Sequence, residues 1–359
     1  MNLTQKIDII REVADGGEII TEDDLVKLFS EKKNPVAYDG MEPSGRIHIA
    51  QGLLRAININ KMIKAGCKFK ILIADWFAFL NNKFNGDIDK IKLAGQYYIE
   101  MWKACGLDTD KVEFIWTSDV IKDPKYWELV MRIARLNSVS RIVRCSQIMG
   151  RSEKEIMHAS QIFYPCMQAA DIFYLGVDIT QLGMDQRKVN VLAREIAEDL
   201  GKQKPVIVSH HMLMGLGQPK SGLTGVERAI ELKMSKSKPD TAIFMDDSPK
   251  DVEMKIKKAY CPEKQAQENP ILEYCKYIIF NKFDKMEIKR PEKFGGDLTI
   301  SSYAELERIF VQGKLHPMDL KSAVAFYLNK MLEPARQYFE KNKKAKEIMN
   351  KVKGFEITR

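Results

Sequence analysis

From about residue 34 onward, short apolar runs alternate with stretches of helical periodicity, and this alternation narrows the possible folds more than any other feature of the 359 residues. Pro35–Asp39, Phe69–Asp75, Val112–Thr117, Asp178–Met184 and Pro205–Ser209 read as strands. Helical patterns fill the gaps: one from about His48, a long stretch reaching residue 160, and one from about Lys188 to Leu200. Strands and helices in turn predict an α/β chain with an open parallel sheet covered on both faces. In such sheets ligands bind outside the carboxyl ends of the strands, so Tyr38, Asp75 and the 183–188 turn are expected to meet in one pocket.

The flanks differ. Residues 1–33 read as two short helices, with Thr21 and Asp24 arranged like a capping box. The Gly-containing segment 213–230 reads as a mobile connection, Ser248 and Pro249 open a helix, and beyond Pro262 only helical patterns follow, apart from a short irregular segment at 291–300. The expected division is 1–33, a helical segment; 34–245, the sheet domain; and 246–359, an all-helical domain.

One predicted helix is apolar nearly all round. Pro165 suits its first turn, and helical spacing then sets Tyr164, Gln168 and Asp171 along one face among Ile162, Phe163, Cys166, Met167, Ala169, Ala170, Ile172 and Phe173. A buried carboxylate and amide need partners, either a ligand or other protein groups.

Two further stretches suit phosphate chemistry. The run from Tyr38 to Gly52 passes through a tight turn at Gly45 into a helix start at His48, Ile49, Ala50 and Gln51, where free N–H groups and a positive dipole end face an anion. No GxxxxGK[ST] loop occurs, which sets P-loop enzymes aside. The second stretch, Lys233, Met234, Ser235, Lys236 and Ser237, offers two ammonium groups to charge that grows on a phosphate.

Composition excludes several alternatives. No uninterrupted apolar run is long enough for a membrane span, and the N-terminus has neither a signal-peptide run nor a transit-peptide look, so a cytoplasmic protein is expected. Six scattered cysteines without CxxC spacing and five histidines in no ligand pattern argue against a metal held by the protein alone. The formal charge of +8 favours a polyanionic partner only weakly; eight Lys and Arg against four Glu fall after residue 330.

His48–Gln51 together with Lys233–Ser237 resembles the HIGH and KMSKS signatures of class I aminoacyl-tRNA synthetases, whose catalytic domain is Rossmann-like. Tyr38 with the Tyr164, Gln168 and Asp171 face and Gln186 resembles the amino-acid pocket of the tyrosyl-tRNA synthetases, in their archaeal and eukaryotic cytosolic branch. The likeness runs from about residue 34 to about 336 and includes Pro291–Lys321, which is similar to that branch's anticodon-binding domain. Ala50 and Gln51 depart from the family's glycine and second histidine, Phe77 stands where archaeal relatives carry a histidine, and Leu182 replaces a glycine.

The resemblance implies roles. Tyr38 and Asp171 would hold a phenol hydroxyl; Tyr164, Gln168 and Gln186 would hold the α-ammonium end, with Asp75 assisting. Gly45, His48, Gln51, Gly52, Met234, Ser235 and Lys236 would contact ATP, and His48, Lys233 and Lys236 would stabilise the reacting charge. Mg²⁺ would arrive on ATP. Phe294 would stack on the first anticodon base, which His316 and Asp319 would read, while Arg187 and Lys188 would meet the tRNA acceptor end. Asp319 could equally cap the helix that follows it. A homodimer through the 120–160 helices is implied as well. Two rivals remain: a tryptophanyl-tRNA synthetase, which has no use for Asp171 beside Tyr38, and a synthetase-like RNA-binding protein without catalysis.

Overall fold

The computed structural model describes residues 1–149, 158–220, 222, 228 and 231–356. The expectations for the 213–230 connection and for the end of the 120–160 stretch lie partly outside these residues. Six strands form the main sheet: β1 (Glu18–Ile20), β2 (Val36–Met41), β3 (Lys68–Ile73), β4 (Val112–Trp116), β5 (Ile179–Gly183) and β6 (Val206–His210), in the order β1-β6-β5-β2-β3-β4. All pairs from β2 to β6 are parallel, as the alternation predicted. β1 adds an antiparallel edge on β6, in a segment expected to be only helical. Three residues between two helices give too short a period-2 signal to be read.

The parallel part of the sheet starts at β2, runs outward to β3 and β4, then crosses back to β5 and β6, so the switch point lies between β2 and β5. Register sets Tyr38 opposite Thr180 on one side and Lys70 on the other. Because side chains alternate along a strand, Tyr38, Leu72 and Leu182 face one way, onto an apolar layer with Tyr126, Ile133, Ile142, Met167 and Ile172. The other face is larger. It joins Ile7, Ala37, Ile71 and Trp102 to Leu272, Val324 and Phe339, so the core continues without a break into the C-terminal helices.

The helix carrying the polar face spans Ala159–Tyr174, beginning before the expected start at Pro165. Pro165 is interior, where it removes a backbone hydrogen bond at a cost of about 3 kcal/mol. Burial of every residue from Tyr164 to Ile172 offsets that. The C-terminal part is helical at Pro249–Lys258, Pro270–Tyr277, Tyr303–Val311, Pro317–Lys341 and Lys343–Lys353. It is not all-helical: β7 (Met286–Ile288) pairs antiparallel with β8 (Leu298–Ile300), of which only β8 falls inside the 291–300 segment that looked irregular. Thr21 does cap its helix, accepting from the Asp24 N–H at 3.1 Å, whereas the Asp24 carboxylate turns to Arg194. No helix among the described residues is long and apolar enough to cross a membrane.

Candidate active site

β2 ends at Met41, and the chain turns sharply at Gly45, whose φ of +105° is open to glycine and strained for other residues. The Ser44 N–H donates to the Tyr98 hydroxyl at 3.1 Å, which fixes the turn's position. Ile47–Ile49 then docks along Ile243–Met245: the Ile49 N–H donates to the Ile243 carbonyl and the Met245 N–H to the Ile47 carbonyl, both at 2.9 Å. A wide π-type turn over Ala50–Leu54 precedes the regular helix Arg55–Lys64, so the α-helix expected from about His48 starts later. Gly52 lies under Met245, where an added Cβ would meet its sulfur at 2.6 Å. Gln51 directs its amide to the Met41 sulfur at 3.6 Å and leaves its buried oxygen without a partner.

Lys233–Ser237 closes over this turn from the other side. Lys236 donates to the Ser44 hydroxyl at 3.0 Å and to the Tyr98 hydroxyl. Lys233 pairs with Asp185 at 3.2 Å, on the turn that follows β5. Met234 is buried, with its N–H on the Leu213 carbonyl at 2.8 Å, and the Ser235 and Ser237 hydroxyls meet at 2.9 Å. Burial, with Lys236, Arg55 and Lys233 nearby, holds His48 well below the usual histidine range. Its ring is therefore neutral at neutral pH, and its buried Nδ1 lacks a partner. A neutral imidazole beside two ammonium groups can hydrogen-bond phosphate oxygens without exchanging protons with them.

The aromatic pocket opens on the Tyr38 face of the sheet. Asp171 is fully buried; one carboxylate oxygen accepts from the Tyr126 hydroxyl at 2.8 Å, and the other has no partner. Burial pushes its pKa well up, against the pull of that hydrogen bond. Tyr38 is equally enclosed, and burial together with the charges of Asp171 and Asp39 keeps its phenol protonated. The Tyr164 hydroxyl donates to Glu42, and its ring meets Phe77 edge-on at 4.7 Å. Gln168 donates to the Gln186 side-chain oxygen at 3.1 Å, tying the helix to the turn after β5. Asp75, just past β3, accepts from the Trp76 and Ser118 N–H groups, each at 3.0 Å, and keeps a second oxygen unpartnered. Burial raises its pKa as well. A pocket lined by orphaned carboxylate oxygens and aromatic rings is shaped for a phenol and an amine, since leaving such groups unpaired costs several kcal/mol, about 1–3 each for neutral groups.

Residues 30–333 match the family model of class I tRNA synthetases (W and Y). The tyrosine–tRNA ligase 1, cytoplasmic, of Arabidopsis thaliana is 53% identical over 98% of this chain and 89% of its own length. Arabidopsis tyrosine–tRNA ligase 2, cytoplasmic, is 52% identical over 99% of this chain, which spans only 46% of that longer protein. The structure of the tyrosyl-tRNA synthetase from Pyrococcus horikoshii, complexed with L-tyrosine, superposes with a TM-score of 0.91 at 39% identity, covering 98% of this chain and all of that one. The chain belongs to the tyrosyl-tRNA synthetases.

In this synthetase, Tyr38, Asp75, Tyr164, Gln168, Asp171 and Gln186 lie around the switch point with Gly45, His48, Gln51, Gly52, Lys233 and Lys236. The proposed anticodon contacts lie elsewhere. Phe294 is 59% exposed, with Lys293 5.0 Å above its ring. His316, not Asp319, caps the helix Pro317–Lys341, its Nδ1 accepting the Met318 N–H at 3.1 Å. Asp319 occupies the first turn, where a carboxylate suits the helix dipole. Arg187 pairs with Glu18 at 2.6 Å, and Lys188 donates to the Arg144 carbonyl at 3.3 Å, so both already hold protein partners.

Four groups escaped the sequence reading of the synthetase. Glu42 and Asp185 lie inside the motifs already singled out, and their position past the ends of β2 and β5 was a usable signal. Arg55, which pairs with Asp39 at the start of the regular helix, carried no pattern of its own. Tyr126 carried no signal, since in an amphipathic helix it reads as an ordinary core aromatic.

Proposed function

We propose that this synthetase activates L-tyrosine with ATP and transfers it to the 3′ end of tRNA(Tyr), with Asp171 as the residue that selects the substrate. The observation that carries this is the unpartnered, fully buried Asp171 oxygen beside Tyr38, an acceptor for a phenol O–H that phenylalanine lacks. Glu42, Tyr164, Gln168 and Gln186, with Asp75, surround the α-ammonium end. Tyrosine carboxylate attacks the α-phosphorus of ATP; one carboxylate O–P bond forms, one P–O bond breaks, and pyrophosphate leaves. No proton need move, so positioning and charge stabilisation by His48, Lys233 and Lys236 suffice. Mg²⁺ enters on the phosphates of ATP. The ribose hydroxyl of the tRNA then attacks the adenylate carbonyl; the ester C–O bond forms, the carbonyl C–O bond to phosphate breaks, and AMP departs as the hydroxyl proton is released to solvent.

Exposed Phe294, His316 and Asp319 suit the anticodon, because single-stranded bases are read by stacking and edge hydrogen bonds. Arg187 and Lys188, beside the pocket, suit the acceptor end. A homodimer is favoured by Met131, Leu136, Val139 and Phe163, large apolar residues exposed on neighbouring helices. The names of the Arabidopsis relatives favour the cytoplasm. We assign residues 34–245 to the catalytic unit and 246–359 to the tRNA-binding one, with 1–33 adding the edge strand β1 and two helices to the sheet domain. Pyrophosphate exchange tested with tyrosine, tryptophan and phenylalanine separates the readings: exchange with tyrosine alone is expected. Exchange with tryptophan, or with none, would overturn the proposal.

A further inference from the structure

The segment that braces the nucleotide turn is itself held by the C-terminal helices. Immediately after Ile243–Met245 come Asp246 and Asp247, both about 95% buried at the side chain. Arg46, just before the docked strand Ile47–Ile49, donates to Asp246 at 2.8 Å and to Asp247 at 3.0 Å, with its guanidinium 4.0 Å from the Phe244 ring. Lys255 holds the other Asp247 oxygen at 2.6 Å. Two links then reach across from the C-terminal helices. Lys353 pairs with Asp246 at 2.8 Å, and Arg336, itself fixed by Asn329, donates to the Asp247 carbonyl at 3.0 Å.

A pocket of about 230 Å³, open to solvent on one side, lies at this junction, lined among others by Met101, Met245, Asp246, Arg336, Phe339 and Lys353. Where side chains do not fill the space, directed polar links decide the register of one element on another. Asp246 is the shared member: one carboxylate holds Arg46 on the nucleotide side and Lys353 on the helical side. Nothing in the tyrosine pocket makes a hydrogen bond to it.

From this geometry we infer that Asp246 is a positioning residue, a clamp through which the C-terminal helix Lys343–Lys353 seats the nucleotide-binding turn around His48. The inference rests on the nucleotide seat proposed above and goes beyond it, assigning ATP affinity in part to residues that touch no substrate. Its direction is specific: loosening the clamp shifts the Ile47–Ile49 segment that carries His48, and spares Asp171 and Gln168 on the far face of the sheet.

The test is calorimetric titration of the full chain with a non-hydrolysable ATP analogue, alongside KM values for ATP and tyrosine in pyrophosphate exchange. Lys353→Ala, which removes only the helical arm, is expected to weaken analogue binding and raise the ATP KM by roughly 2- to 30-fold, the span open to residues coupled to a site without touching it. The tyrosine KM should stay unchanged, Lys353→Arg should restore the parent values, and Asp246→Asn should do at least as much harm as Lys353→Ala. Unaltered analogue binding in both Lys353→Ala and Asp246→Asn would overturn the inference. So would a joint loss of ATP and tyrosine affinity with a lowered melting temperature and no rescue by arginine. If the parent binds the analogue but exchanges with no amino acid, the tyrosine reading falls and this one is still decided by the titration.

Discussion

The tyrosine pocket and the proposed RNA-reading surface carry the same kinds of side chain, an aromatic ring and a carboxylate, in opposite settings. Tyr38 and Asp171 are shut away from solvent, while Phe294 stands mostly in it. In the pocket the protein has already removed the water, so one orphaned oxygen of Asp171 is costly until a hydroxyl arrives. On the surface, water satisfies every group beforehand, and RNA must displace it. On the proposed reading, selectivity in the first region comes from a penalty built in by folding; in the second it comes from contacts made only in the complex.

That contrast ranks the expected effects of mutation. Asp171→Ala should reduce tyrosine activation the most, by about 100- to 1000-fold, the scale for loss of one preorganised polar group in a dry site. The check is pyrophosphate exchange on a variant whose circular dichroism matches the parent; near-parental exchange would mean that the pocket is no more selective than the surface. Phe294→Ala comes next. It should cost about 1–3 kcal/mol in tRNA charging, the worth of one stacked base, and leave exchange at the parental level. If exchange fell equally, the two regions would not be separate.

The smallest effect concerns stability, and its sign sharpens the comparison. Burial raises the Asp171 pKa above its unfolded value, so the folded chain binds more protons than the unfolded one once pH passes about 4. Stability contributed by this site is therefore full at low pH and is lost as pH rises toward the raised value. Asp171→Asn, which keeps an acceptor for Tyr126 but no charge, should melt higher than the parent, with the gap widening between pH 4 and pH 8. A gap that is constant or narrows with pH would mean that the carboxylate is not desolvated.

The parallel sheet was legible because each strand from β2 to β6 is a short apolar run set between helices, and the switch-point rule then pointed to the proposed pocket. Tyr164, Gln168 and Asp171 were legible from spacing alone, even though Pro165 proved interior and the helix began earlier. Tyr126 and the Arg55–Asp39 pair were not, because their roles depend on which elements approach in space and no local pattern encodes that. The proposed RNA contacts followed only from resemblance. An exposed phenylalanine and a histidine at a helix start have no signature of their own, and His316 took the capping role open to Asp319.

The central claim is that the free oxygen of Asp171 distinguishes a phenol from a bare ring. Equilibrium binding of tyrosine and phenylalanine, measured side by side on the parent and on Asp171→Ala, tests it most directly. A strong parental preference for tyrosine that disappears in the variant is the predicted result; a variant that binds weakly yet keeps the parental preference would contradict it.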